Sequence, residues 1–153
     1  MASDGTATQL APRNAVAVFL VRKDGSLLAQ QRDEHAPISP NQWGLIGGSR
    51  DEGEPPEEAA LRELREETGL APHEGLSLFF AGVRPASLGS GSTSWHVFWC
   101  PTTAGDSDIV LGEGRAIRFL SADALRNADL GTSAAFFLPL FLASPGYAAC
   151  LES

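Results

Sequence analysis

Three glutamates at helical spacing, Glu63, Glu66 and Glu67, restrict what this chain can fold into more than any other feature. On a helix, positions i, i+3 and i+4 share one face, within an arc of about 100°. Like charges so placed repel one another and weaken an isolated helix. Such a segment needs an apolar side to bury and a positive partner for its acidic face. A hard divalent cation, which takes oxygen ligands, meets the second need.

The surrounding residues predict a helix from about Pro56 to Thr68. Pro56 lacks an N–H that the first turn would leave unbonded anyway, and Glu57 and Glu58 suit the positive end of the helix dipole. Leu61, Leu64 and Thr68 lie together beside the acidic face and give the helix something to bury. Gly69 is expected to end it as a left-handed cap. Pro55 is unusual before such a helix, where Ser or Thr would cap better.

The 153 residues fit one domain, expected over residues 13–153 after a loose arm of small and polar residues at 1–12. The net charge of −8 is concentrated: residues 51–67 hold eight carboxylates against Arg62 and Arg65. With no basic stripe elsewhere, the composition argues against a polymeric nucleic-acid partner. A small phosphorylated ligand fits better, because bound cations reverse the sign of the local field. Cys100 and Cys150 are too few for a disulfide framework and lack metal-ligand spacing. No signal peptide is legible at the start, and the apolar run from Phe136 to Ala143 is too short to cross a bilayer. These features predict a soluble, cytoplasmic protein with no membrane partner.

Strands are expected at Asn14–Arg22 and Ser26–Arg32, joined by a turn at Lys23-Asp24-Gly25, and at Trp43–Ile46 leading into Gly47-Gly48. Further strands are read at Leu76–Val83, Thr93–Cys100 and Arg115–Leu120. In Thr93–Cys100, Trp95, Val97 and Trp99 should face one way and His96 and Phe98 the other. Ser87–Ser92 and Pro101–Gly114 read as loops, the first a lid or merely a long connection. Ser121 should cap a helix, and a final amphipathic helix is expected at Thr132–Ala143. Strands and helices in this order indicate an α/β or α+β layering.

Gly48, five residues, Glu54, seven residues, then Arg62-Glu63-Leu64-x-Glu66-Glu67-x-Gly69-Leu70 resembles the Nudix box, G-x5-E-x7-R-E-U-x-E-E-x-G-U, with U a bulky aliphatic residue. All nine constrained positions match. Gln31-Arg32, Trp43, Gly47-Gly48 and the late segment from Gly112 through Phe119 to Leu125 resemble the family's layout as well. Ile46 departs from it, standing where a proline often precedes the two glycines. The resemblance implies an α/β fold, a Nudix-type α/β/α sandwich with a mixed β-sheet. It also implies a MutT-like pyrophosphohydrolase dependent on Mg2+, or on Mn2+ in its place. The substrate would be a small-molecule nucleotide, a nucleoside diphosphate linked to X. The products would be a nucleoside monophosphate and pyrophosphate or phosphorylated X. Homodimers are common in the family, and nothing in the sequence requires one.

By this resemblance Glu63, Glu66, Glu67 and the Gly48 carbonyl are the metal ligands. The bland alternative is a solvated acidic helix face, against which the complete box weighs heavily. Arg62 and Glu54 are expected to brace the site as an ion pair. The general base is either Glu66 or the late-loop Glu113. Arg32 is a candidate phosphate contact. Trp43, Trp95, Trp99 and Phe80 are candidates for stacking a base, although aromatics on strands are more often core. His35 and His96 read as satisfied polar groups. Two other functions stay open: a catalytically silent nucleotide-sensing module, and a diphosphate isomerase-like enzyme using Cys100.

Overall fold

Alternation along one central strand sets the two faces of the molecule. In β1 (Arg13–Arg22), Val16, Val18 and Leu20 point one way and Ala17, Phe19 and Val21 the other, all six at most 1% exposed. A strand apolar on both sides must be covered on both sides. The computed structural model describes residues 13–35, 40–72, 74–84, 93–110 and 116–152. The expected N-terminal arm, the Ser87–Ser92 loop and Glu113 lie outside them.

Among the described residues the sheet has seven strands: β1, β2 (Leu27–Gln31), β3 (Trp43–Gly44), β4 (Ile46–Ser49), β5 (Ser77–Arg84), β6 (Thr93–Thr102) and β7 (Ala116–Leu120). Their order is β3-β2-β1-β6-β5, with β4 also pairing with β1 and β7 with β2. The β1–β6 pair is parallel and the other pairs are antiparallel, so the sheet is mixed.

Helix α1 (Pro56–Thr68) covers one face, setting Ala59, Ala60 and Leu64 against Val16, Val18, Leu20, Ile46, Phe98 and Cys100. Helices α2 (Ala122–Arg126), α3 (Thr132–Leu142) and α4 (Pro145–Leu151) cover the other with Leu125, Phe137, Leu138, Phe141 and Cys150. This is an α/β/α sandwich. No single helix among the described residues is long and apolar enough to cross a membrane.

The helix read from the acidic stretch has the expected bounds, and Gly69 closes it in the left-handed conformation at φ 76°. Pro55 offers no side-chain cap. Trp95, Val97 and Trp99 do lie on the face opposite Phe98.

Three expectations need correction. Trp43–Ile46 is not one strand: Leu45 separates β3, which pairs with β2, from β4, which turns to pair with β1. The strand from Thr93 runs on to Thr102, because Pro101 and Thr102 continue the parallel register with Val21 and Arg22. A short 3-10 turn at Asp106–Asp108 follows it. Nor is α3 the final helix or cleanly amphipathic. Leu140 is 48% exposed on its outer side, and Ser144 caps α4 by accepting from the Tyr147 N–H at 3.3 Å. Gly146 lets α4 approach the sheet, since a Cβ there would lie 2.8 Å from the Trp99 ring.

Candidate active site

Small residues bring α1 close to the sheet, and closeness puts its carboxylates against the backbone of β4. Glu67 is only 7% exposed, and its Oε1 accepts from the Gly47 N–H at 3.1 Å. One residue on, a Cβ on Gly48 would lie 2.5 Å from Glu63 Oε1 and 2.7 Å from Oε2. Only glycine leaves room for that carboxylate to press against the strand. At Gly47 a Cβ would meet the Val16 carbonyl, so the β1–β4 pairing itself requires glycine there.

Arg62 gathers the remaining acids. Its Nε donates to Glu54 Oε2 at 2.9 Å and its Nη2 to Glu54 Oε1 at 3.0 Å, a bidentate pair of the strong, charge-assisted kind. Nη1 reaches Glu63 Oε1 at 3.3 Å and Glu66 Oε1 at 3.2 Å, and Nη2 the Ser49 carbonyl at 3.1 Å. The hydrogen bond from Arg62, with the Asp51 N–H second, holds the Glu54 carboxyl below the usual range. In return Glu54 raises the guanidinium pKa further. The expected Arg62–Glu54 ion pair is therefore present. It fixes the loop before α1 to the helix, the work that Pro55 as a cap cannot do.

Four oxygen-bearing groups thus line one margin: Glu63, Glu66, Glu67 and the backbone of Gly48. Their donor chemistry suits a hard divalent cation. As the side chains stand, no three acidic, histidine or cysteine side chains among the described residues converge tightly enough to enclose an ion. Arg62 lies against two of the carboxylates instead. Glu66, with its side chain 57% exposed, has the freedom to turn towards a cation.

The aromatic candidates for substrate contact fall elsewhere. Trp43, 9% exposed, belongs to the cluster on the opposite face, with the Arg118 guanidinium over its ring at 5.2 Å. Trp95 and Phe80 lie on that face too, edge-on to Phe137 at 5.3 and 5.1 Å. Trp95 Nε1–H is buried without an acceptor among the described residues. Arg32 is exposed just after β2, where its backbone pairs with Gln42 and Asn41. Trp43, Trp95 and Phe80 therefore lie across the sheet from the acidic helix.

Cys100 is 2% exposed, and burial pushes its thiol pKa up. It donates to the Pro101 carbonyl at 3.2 Å, an environment that disfavours the reactive thiolate. The half-buried His96 ring has no hydrogen-bond partner among the described residues. Burial lowers its pKa, and the charge of Arg50 lowers it further. Sequence reasoning passed over Arg50, although it follows the glycine pair by two residues.

The NUDIX domain family model matches residues 11–141 of this chain. An RNA pyrophosphohydrolase of Cereibacter sphaeroides is 46% identical over 59 residues, 38% of this chain and 34% of that protein. The nucleoside triphosphatase NudI of Escherichia coli is 42% identical over 50 residues, 33% of this chain and 36% of that protein. The matched segments thus span about a third of the length of these curated relatives. Among solved structures, a MutT NUDIX hydrolase from Burkholderia pseudomallei superposes with a TM-score of 0.68 and 26% identity, over 84% of this chain and 97% of that one.

Proposed function

Because the chain belongs to the NUDIX domain family, we propose that it is a Mg2+-dependent pyrophosphohydrolase acting on a nucleoside triphosphate or related nucleotide. The observation that carries this reading is the arrangement of Glu54, Arg62, Glu63, Glu66 and Glu67 against Gly47 and Gly48. The relatives' names, a pyrophosphohydrolase and a nucleoside triphosphatase, support the bond class.

Glu63, Glu66, Glu67 and the Gly48 carbonyl would hold the cation, which when bound supplies Lewis-acid neutralisation of diphosphate charge. Arg62 positions Glu63 and Glu66 while its fork stays fixed on Glu54. Glu67, held by the Gly47 N–H, keeps one carboxylate oriented at the strand. A carboxylate, Glu66 or Glu113, takes a proton from water as the water oxygen bonds to one phosphorus. The bridging P–O bond breaks, and its electron pair leaves with the departing phosphate oxygen.

The test is product analysis by ion-exchange chromatography on a panel of nucleoside triphosphates, ADP-ribose, sugar nucleotides and dinucleoside polyphosphates with Mg2+. Wild type should release a nucleoside monophosphate, and Glu67→Gln should slow release by about a hundredfold or more. Comparing Glu66→Gln with Glu113→Gln identifies the base by a loss of roughly 10²- to 10⁴-fold. Tight binding without turnover across the panel would replace this reading with the sensing module.

A further inference from the structure

We propose that Asn14, Arg50, Ser94 and His96 form an anion-binding shelf beside the acidic margin, seating the outer phosphate end of a nucleotide. The proposal rests on the hydrolase reading for the identity of that ligand, and on strand register for its geometry. Val16 pairs with Gly48 on one side and with His96 on the other, so the three form one row across the sheet. In the next row Asn14 pairs with Ser94, and the Arg50 N–H donates to the Asn14 carbonyl at 2.9 Å.

Paired residues share a face, and so do alternate residues along a strand. Val16 faces α1, and a Cβ on Gly48 would meet Glu63. Asn14, Ser94 and His96 therefore stand on the same face as the acidic helix. Val16 is fully buried, whereas Asn14 is exposed and Ser94, His96 and Arg50 are half-buried. These polar groups lie just past the end of the apolar contact with α1. Gly48 and His96 are two strand spacings apart, about 9–10 Å, within the span of a polyphosphate chain.

The chemistry of the four side chains is that of an anion site. Guanidinium, amide, hydroxyl and imidazole can all donate hydrogen bonds. Among the described residues none of the four has a side-chain hydrogen bond or ion pair. Arg62, by contrast, is fully engaged with acids. Arg50 acts on both Glu54 and His96 through its charge, so a cation lies within electrostatic reach of both. An ordinary solvated sheet margin would also be polar, but it would not bind an anion saturably.

The test is a titration with inorganic pyrophosphate in metal-free buffer containing a chelator, followed by NMR of the His96 ring. Wild type should show a saturable shift. Arg50→Met should weaken the affinity by about tenfold or more, and His96→Gln, which lacks the ring and is followed by isothermal titration calorimetry instead, should weaken it as well. Lys23→Met, which removes the same charge at the far end of β1, should leave it unchanged. In turnover, Arg50→Met should raise KM about tenfold with kcat within about threefold.

An unmoved His96 ring, or equal weakening in Arg50→Met and Lys23→Met, would overturn the shelf. No turnover is needed in the titration, so the two readings fail separately. Glu67-dependent hydrolysis with no pyrophosphate binding sinks the shelf alone. Specific pyrophosphate binding with no hydrolysis on the panel supports the shelf and sinks the hydrolase.

Discussion

On one face of the sheet, α1 closes over Val16, Val18 and Leu20 with Ala59 and Ala60; on the other, α3 and α4 close over Phe19 with Phe137, Phe141 and Tyr147. The first contact is close because its residues are small. Close approach lets Glu63 and Glu67 touch β4, and it leaves charges, not bulk, to fix the margin. The second contact is deep and aromatic: Phe141 stacks on Phe19 at 4.2 Å and meets Phe79 edge-on at 5.2 Å. The difference teaches a division of work. The aromatic face supplies stability, and the small-residue face gives the carboxylates their position.

The largest effect on stability should come from the aromatic face. Phe141→Ala should cost about 3–5 kcal/mol of unfolding free energy, measured by urea denaturation. The folded fraction should keep its turnover per molecule; a comparable loss of turnover would break the division. Ala60→Leu tests the other face. It should cost about 1–3 kcal/mol by overpacking, yet it should impair turnover more than Phe141→Ala does, because it pushes α1 away from Gly47 and Gly48.

Arg62 gives the next test, through pH. Glu54 has a depressed pKa in the folded chain, set first by Arg62. Its contribution is fully present above its unfolded pKa of about 4.5. It is lost as pH falls through the lower folded value. Arg62→Met should therefore flatten the fall in Tm on the acid side of pH 4.5, relative to wild type. An unchanged acid limb would separate Glu54 from Arg62. The smallest effect is expected at Thr68, whose buried Oγ1 donates to the Leu64 carbonyl at 2.6 Å and accepts from the Leu70 N–H at 3.1 Å. Thr68→Val should cost about 0.5–1.5 kcal/mol, since the part-buried Leu70 N–H loses its acceptor.

What could be read in advance was local. The bounds of α1 follow from Pro56, the acidic first turn and Gly69, all within one stretch. The two faces of β6 follow from alternation. What escaped was set by distant partners. Leu45 interrupts the run from Trp43 because the chain changes neighbours there, from β2 to β1. Ser144-Pro145-Gly146 looks like a turn, but Ser144 is an N-cap and Pro145 a first-turn proline, the signature of a helix start. At the site, the Arg62–Glu54 pair was legible through the resemblance of the acidic stretch to the Nudix box. Arg50 and His96 were not, since the β1–β4 and β1–β6 registers together bring them near each other.

The most direct measurement of the central claim is Mn2+ binding, followed by electron paramagnetic resonance, to wild type and to Glu67→Gln. The carboxylates on α1 should give wild type saturable binding that weakens at least about tenfold in the variant, the size of effect expected when a metal-site group is lost. Equal binding by the two proteins, or none by wild type, would contradict a cation site on this helix.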